Sequence, residues 1–179
     1  QGQAALEIAN TATNGQASVN ITGLYSGQQG YDISTVAKTL TTGTGTGTSA
    51  DDLVINNSID WTSGLLRLRA AGNIDLRAML NASNTAGLAL NYGSGYSIYA
   101  PVNLASTGSF STQKGADDLV DWTILTSLGE EGSTTGTDLQ GINGNLSGNY
   151  VLGADIDASL AAAWENGKGF HPLGDRNIN

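Results

Sequence analysis

The feature that most constrains the fold of this 179-residue chain is an internal repeat with a period of about 22 residues. The pentapeptide ADDLV at 50–54 recurs 66 residues later, which is three periods. Segments 53–63, 74–84 and 96–106 align so that apolar residues fall in two columns: Ile55, Leu76 and Ile98, then Ile59, Leu80 and Val102. An Asp or Asn follows each member of the second column. A short repeat of alternating apolar positions and small polar residues is typical of a solenoid.

We therefore predict an all-β fold, a right-handed parallel β-helix with coils of about 22 residues whose strands stack about 4.8 Å apart. Because side chains alternate along a strand, Leu66 and Leu68 are expected to point inward and Arg67 and Arg69 outward. The Asp or Asn after each inward column is expected to occupy a turn and to stack as a ladder.

Three zones are predicted along the chain: irregular N-terminal coils over 1–48, regular coils over 49–112, and a continuation with insertions over 113–179. Ile33 lies 22 residues before Ile55, which indicates a coil in phase with the regular ones. The two Asp-Asp pairs of ADDLV are expected to serve the same turn in stacked coils. The Gly/Thr run at 41–49 is expected to be a protruding or flexible turn.

Three short elements are predicted in the last zone. Segment 138–142 favours a helical or turn element, and segment 150–152 favours a strand. The alanine-rich stretch SLAAAWEN predicts a short helical insertion near 159–166, capped by Ser or Asp, that lies against the solenoid with Trp164 as its anchor.

Composition narrows the possible functions. A net charge of −9 with seven Lys and Arg argues against nucleic acid and against anionic membranes, which both require clustered basic residues. With no cysteine and His171 as the single histidine, a zinc site lacks its ligands. A Ser-His-Asp triad would need His171 as its base, and this residue lies in a segment that favours a structural turn. No cofactor is expected, although weak calcium binding to Asp clusters is possible by their oxygen chemistry. No apolar run reaches transmembrane length.

Candidate binding residues are few, and each has an ordinary structural alternative. Tyr92, Tyr96 and Tyr99 cluster in one coil, and alternation makes Tyr99 the one for outward display, where it could stack on a sugar. They could instead simply cover the coil. Arg67, Arg69 and Arg77 could bind an anionic sugar, or form an exposed face balanced by acidic neighbours.

Two carboxylates are the candidates for a metal or an acid/base pair. Asp155 and Asp157 share one face of an extended strand if Ile156 points inward, or they are simply solvated. The chain also carries four Asn-x-Ser/Thr sequons, which are potential glycan acceptors: Asn20, Asn56, Asn81 and Asn145.

The second half of the chain resembles a known class of proteins. The motifs WTILTSLG at 122–129, DLQGI at 138–142, LSGNYVLGADID at 146–157 and GFHPLG at 169–174, with Trp164 between the last two, are similar to those of filamentous-haemagglutinin-type adhesins of two-partner secretion systems. The coils at 53–110, with NIDLRA, resemble the rod of the same family. The resemblance covers roughly residues 49–179, and the chain is expected to be an internal segment of a longer protein.

That resemblance implies a secreted protein of the bacterial cell surface that acts in cell adhesion or biofilm formation. Its implied partners are an outer-membrane transporter during secretion and a host or bacterial glycan or protein. We expect no enzymatic activity. Two alternatives stay open: a self-assembling β-solenoid filament, since solenoid ends invite end-to-end association, and a β-helix polysaccharide lyase or hydrolase.

Overall fold

The computed structural model describes the backbone of 7–13, 16–22 and 31–34, and the residues 52–55, 58–70 and 72–174 with their side chains. The strands, numbered in chain order, are β1 (Glu7–Thr13), β2 (Gln16–Thr22), β3 (Tyr31–Ser34), β4 (Leu53–Ile55), β5 (Ile59–Trp61), β6 (Leu65–Ala70), β7 (Asn73–Leu76), β8 (Leu80–Ala82), β9 (Gly87–Tyr92), β10 (Gly95–Ile98), β11 (Val102–Leu104), β12 (Ser109–Lys114), β13 (Val120–Leu125) and β14 (Tyr150–Leu152).

The strands form three sheets, and every third strand of the central region stacks on its equivalent. Sheet 1 has the order β1-β2-β4-β7-β10, sheet 2 the order β11-β8-β5, and sheet 3 the order β14-β13-β12-β9-β6-β3. All pairs among β4 to β12 are parallel. The chain is a parallel β-helix, as predicted; its right-handed sense stays a prediction.

The register confirms both predicted columns. Leu76 pairs with Ile55 on one side and with Ile98 on the other, while Leu80 lies between Ile59 and Val102. Sheet 3 stacks Leu66, Leu88 and Phe110 in the same way. Except for the exposed Ile98 and the partly buried Val102, these residues belong to one coil core of buried apolar side chains that also contains Trp61. Each coil is therefore stabilised by apolar contact with its neighbours rather than by a central globular core.

The N-terminal strands depart from the predicted coils. β1 and β2 form an antiparallel hairpin, and β2 then joins β4 in parallel. β3 pairs with β6, so that Ile33 lies beside Leu68 and not in the column of Ile55. The prediction that this coil is in phase was wrong because it assumed one uninterrupted coil between the two residues. The Gly/Thr run at 41–49 lies outside the described residues.

The second ADDLV copy also does something different from the first. Asp52 precedes β4, and its Oδ1 accepts bonds from the backbone N–H (2.6 Å) and Nδ2 (3.2 Å) of Asn73 in the next coil. Asp118, the equivalent of Asp52, instead follows a tight turn in which the Asp117 N–H donates to the Lys114 carbonyl at 2.9 Å. Gly115, with φ of 54°, allows this turn, and β13 returns antiparallel to β12. The expectation of one shared turn was wrong.

The C-terminal region covers the end of the coils. β14 confirms the predicted strand at 150–152, and it pairs in parallel with β13. The predicted elements at 138–142 and 159–166 appear as 3₁₀ helices at Gln140–Gly144 and Ser159–Ala163, and a short α1 follows at Trp164–Gly167. Glu165 and Asn166 are left-handed, so the helical insertion is confirmed but is not one regular helix.

A second apolar group, here called the C-terminal cluster, holds this region together. Its buried members are Leu128, Ala161 and Trp164, with Phe170 packed at its margin. Trp164 anchors the insertion as predicted, but its ring stacks on Phe170 (centroids 6.0 Å apart) rather than on the coils. No helix within the described ranges is both long and apolar enough to cross a membrane.

Candidate binding surface on the second sheet

The outer face of sheet 2 carries a ladder of polar side chains, one from each coil. Asp60, Asn81 and Asn103 are the central residues of β5, β8 and β11. Asn81 Nδ2 donates to Asp60 Oδ1 at 2.5 Å, and Asn103 Nδ2 donates to Asn81 Oδ1 at 2.6 Å. The predicted ladder is confirmed. The predicted turn conformation is wrong, because alternation within each strand directs these side chains outward without a turn.

The ladder has a direction that leaves one end available. Each carbonyl or carboxylate oxygen below accepts from the amide above, so the pairwise bonds run from Asn103 down to Asp60. Within the part of the chain that the structure describes, no donor is bonded to Asn103 Oδ1. Asn103 is exposed. Its carbonyl oxygen can therefore accept a hydrogen bond from a ligand hydroxyl.

An open groove of about 540 Å³ lies beside the upper two rungs, where sheet 2 passes into sheet 3. Buried apolar residues, Ala82 and Leu104, contribute to its floor. Amides and hydroxyls also line it: Asn81, Ser83, Asn103, Ser106 and Thr126. The groove is wide open to solvent, and it offers a ligand an apolar floor bordered by amide and hydroxyl groups.

Gly153 closes the upper end of the groove by direct backbone contact. Leu104 N–H donates to the Gly153 carbonyl at 2.7 Å, and Gly153 N–H donates to the Leu125 carbonyl at 2.9 Å. A methyl group at Gly153 would meet the carbonyl oxygen of Leu104. Only a residue without a side chain can therefore join β11 to the C-terminal region here.

Tyr99 lies at the other margin of sheet 2, directly after β10. It is 68% exposed, in agreement with its predicted outward display. Arg77 Cζ lies 5.8 Å from the Tyr99 ring centroid, and Arg77 Nη2 is 2.7 Å from Asp75 Oδ2. The guanidinium is held over the ring by a cation–π contact and an ion pair. The result is an exposed aromatic ring with charged hydrogen-bonding groups beside it.

The other two tyrosines of this coil play a packing role. The rings of Tyr92 and Tyr96 are 5.1 Å apart, and both residues pack against the coil core. Burial raises the pKa of Tyr96, and the nearby Tyr92 raises it further. Tyr99 is thus the tyrosine of this coil that a ligand can reach most readily.

The three predicted arginines do not share one face. Arg67 and Arg69 lie on β6 in sheet 3, whereas Arg77 follows β7 in sheet 1. Leu66 and Leu68, which alternate with the two β6 arginines, are fully buried, as predicted. The grouping in the sequence is therefore split between two sheets. A role for these residues in binding stays a prediction.

Asp155 and Asp157 do not lie on a strand. Both are exposed, and segment 153–158 has no regular secondary structure. Asp157 Oδ1 accepts from the Ser159 N–H at 2.8 Å, and this bond, with one from the Ser159 side chain, lowers the pKa of Asp157. The predicted strand geometry is wrong because Asp157 bonds locally at the start of the 3₁₀ helix. A metal role for this pair stays a prediction; within the described ranges no three metal-binding side chains come together.

Asp138 is a buried carboxylate that the sequence patterns did not single out. Burial alone would raise its pKa, but hydrogen bonds from Thr135, Ser133 and the Gly141 N–H hold the pKa below its usual value. The hydroxyl bonds are 2.5 and 2.8 Å long, and the backbone bond is 2.6 Å. Asp138 therefore fixes the loop that leads into the first 3₁₀ helix, and its role is structural.

Replacing Asp138 with asparagine should lower the free energy of unfolding at neutral pH by about 1–3 kcal/mol, because three donors lose a charged acceptor. Because the pKa of Asp138 is lowered in the folded state, the ionised carboxylate stabilises the protein at pH values above the ordinary Asp pKa of about 3.9. This contribution is lost as the pH falls through the lowered pKa of the folded state. Urea unfolding at several pH values should show the difference between wild type and Asp138→Asn shrinking in acid. The exposed Asp117→Asn is the control and should leave the free energy of unfolding at neutral pH nearly unchanged.

The comparisons with known proteins give one partial match. Over 74 residues, or 40% of this chain, the sequence is 43% identical to halomucin of Haloquadratum walsbyi. The match spans about 1% of the length of that curated relative. No protein-family model matches the chain, and no solved structure matches it. The similarity relates this chain to a segment of a large extracellular surface protein.

Proposed function

We propose that this chain is a segment of a filamentous surface adhesin that binds carbohydrate, without turnover, on the outer face of sheet 2. The observation that carries the proposal is the Asp60–Asn81–Asn103 ladder running into an open groove. Tyr99 stands at the opposite margin of the same sheet, four residues from Asn103. Four extended residues span about 13–14 Å at most, so one oligosaccharide could reach both.

The chemistry of this surface suits uncharged sugars. Amide and hydroxyl groups can donate to and accept from sugar hydroxyls, and an exposed tyrosine ring offers an apolar face for stacking. Since only 13% of residues are charged and the net charge is −9, a strongly anionic polymer would be repelled. The Arg77–Asp75 pair adds charge-assisted hydrogen bonds next to Tyr99.

The remaining parts of the proposal rest on the motifs shared with filamentous-haemagglutinin-type adhesins. They are secretion through an outer-membrane transporter, display on the bacterial cell surface, and a role in cell attachment or biofilm formation. A surface protein as large as the matched relative is compatible with a long rod built from many coils. Nucleic acid is not among the proposed partners.

A glycan array tests the binding surface. Wild-type protein should bind one class of neutral glycan saturably, and Tyr99→Ala should weaken binding at least about tenfold, or about 1.4 kcal/mol. Asn103→Ala should weaken it similarly, because it removes the acceptor at the end of the ladder. The exposed Leu160, which lies in the second 3₁₀ helix, provides the control Leu160→Ala. Equal binding by all four proteins would contradict the proposed surface.

The same array with calcium and with chelator tests Asp155 and Asp157, since loss of binding in chelator would implicate a metal. The proposal that the chain is not an enzyme is tested by incubating bound glycans with the protein. Release of reducing ends or unsaturated sugars would overturn it, and loss of that release in Asp157→Asn would favour a hydrolase or lyase.

Self-association into filaments is a second candidate function, favoured by the edge of sheet 1. β10 is the last strand of this sheet in the described part of the chain, and Ile98 on it is 48% exposed. An uncovered strand edge with an apolar side chain can pair with another chain. Sedimentation velocity over a concentration series should show growing assemblies if this occurs, and Ile98→Lys should then prevent them.

A further inference from the structure

We propose that Asn145 is an N-glycan acceptor of the folded chain and that Asn81, which carries the same kind of sequon, is not. Both residues start an Asn-x-Ser sequence, Asn145-Leu-Ser and Asn81-Ala-Ser. The sequence motif alone cannot distinguish them. Their surroundings in the fold differ in every respect that matters for transfer of a sugar to the amide nitrogen.

Asn145 lies in an exposed turn directly after the first 3₁₀ helix. It is exposed, as are the Leu146 and Ser147 that complete its sequon. Ser147 Oγ donates to Asn145 Oδ1 at 3.1 Å, which orients the amide through its carbonyl oxygen. Within the described part of the chain, Asn145 Nδ2 has no hydrogen-bond acceptor. The nucleophilic atom is therefore unengaged while the rest of the side chain is held.

The backbone around Asn145 is anchored on both sides without using its side chain. The Tyr150 hydroxyl donates to the Asn145 carbonyl oxygen at 2.6 Å, and the Asn145 N–H donates to the Ile142 carbonyl at 2.9 Å. No strand pair includes residues 145–149. A glycan on Nδ2 therefore projects into solvent and requires no strand or core contact to break.

Asn81 has the opposite environment. It is half-buried in β8, which is paired with β5 and β11 on its two sides. Its Nδ2 donates to Asp60 and its Oδ1 accepts from Asn103, so both ends of the amide are occupied. A sugar on Nδ2 would interrupt the ladder and would have to fit against the neighbouring coil.

The reaction requires a lipid-linked oligosaccharide phosphate or pyrophosphate as donor and an oligosaccharyltransferase. A bond forms between Asn145 Nδ2 and C1 of the first sugar, while the bond between C1 and the phosphate oxygen breaks. The phosphate leaves with the electron pair, and the amide proton passes to a base of the transferase. No oxidation or reduction is involved, and Asn145 remains an amide.

The test uses the folded full chain and a transferase chosen because it modifies both sequons in synthetic peptides. Glycopeptide mass spectrometry after the reaction should show the glycan on Asn145 and unmodified Asn81, and Ser147→Ala should abolish modification at Asn145. The urea-denatured chain, treated identically after dilution into the assay, should be modified at both positions.

Two results would overturn the proposal: modification of Asn81 in the folded chain to the same extent as Asn145, or an unmodified Asn145 in the folded chain. Wild-type stability is checked in parallel by tryptophan fluorescence, so that unfolding cannot be mistaken for access. The outcome is independent of the glycan-binding assay, because Asn145 is not among the residues that line the groove.

Discussion

Replacing Leu76 with alanine is expected to lower the free energy of unfolding by about 2–5 kcal/mol. Leu76 is fully buried and occupies the middle position of a column, between Ile55 and Ile98. Truncation leaves a cavity that neither neighbouring coil can fill, because both are held by their own strand pairs. In a structure where each coil is stabilised by its neighbours, the loss affects two coil interfaces at once.

The column itself provides the control. Ile98 shares the register of Leu76, but no coil covers it in the described part of the chain, and it is 48% exposed. Ile98→Ala should therefore cost less than about 1 kcal/mol, since a half-exposed side chain loses less apolar contact. Urea unfolding followed by tryptophan fluorescence compares the two variants, because Trp61 lies in the same coil core. Similar losses for both would show that stacking position does not determine the contribution.

The regular coils could be predicted because two independent patterns agree there. A period of about 22 residues gives the stacking, and alternation within each strand gives the inward side. The polar ladder follows from the same reasoning, since equivalent outward residues must lie above one another. For this reason Ile55 and Leu76 were placed correctly from sequence, and Asn81 was predicted correctly as a member of the ladder although not as a turn residue.

The reversals of the chain could not be predicted from those patterns. An alternating strand has the same apolar pattern whichever way it runs, so nothing in β13 distinguishes an antiparallel partner from a parallel one. The direction is decided by the turn at Gly115, and a glycine with a left-handed backbone occurs in too many kinds of turn to predict a reversal. The repetition of ADDLV led to the wrong prediction of one shared turn, because identical residues can precede strands in different sheets.

The groove was missed for a different reason. It arises where Gly153 meets Leu104, and these residues lie far apart in the sequence with no periodic relation. Asp138 was missed because its partners are local hydroxyl and backbone donors rather than charged residues. The sequence did signal the close approach of Gly153 to Leu104, because Gly153 is a glycine between a strand and an Asp-rich segment. Glycine is too common in this chain, with 25 copies, for that signal to be informative.

Replacing Trp164 with alanine is expected to open the C-terminal region while leaving the coils folded. Trp164 is the largest buried side chain of the C-terminal cluster and stacks on Phe170, with an angle of 27° between the ring planes. Loss of a buried tryptophan typically costs about 3–5 kcal/mol. Only two other residues of that cluster, Leu128 and Ala161, are buried, so the remaining contacts are too few to offset such a loss.

Hydrogen exchange measured by mass spectrometry should show this local opening as lost protection over 156–171, with β7 to β9 still protected. Leu160→Ala provides a control within the same segment, because Leu160 is 76% exposed and its removal should change nothing. Gln140 connects the cluster to the chain beyond it, since its Nε2 donates to the His171 carbonyl at 3.2 Å. The backbone amides of 156–171, rather than this side-chain amide, report the opening.

Uniform loss of protection in Trp164→Ala, including the coils, would mean that the C-terminal region and the β-helix unfold as one unit. The structure argues against this because the buried residues form two separate groups, and none of the residues that make up the C-terminal cluster belongs to the coil core. The backbone bonds of Gly153 to Leu104 and Leu125 join the chain to the coils at a point between Leu128 and the other two buried residues of the cluster. Opening over 156–171 includes no residue that lines the groove or forms the polar ladder, so glycan binding by Trp164→Ala should survive.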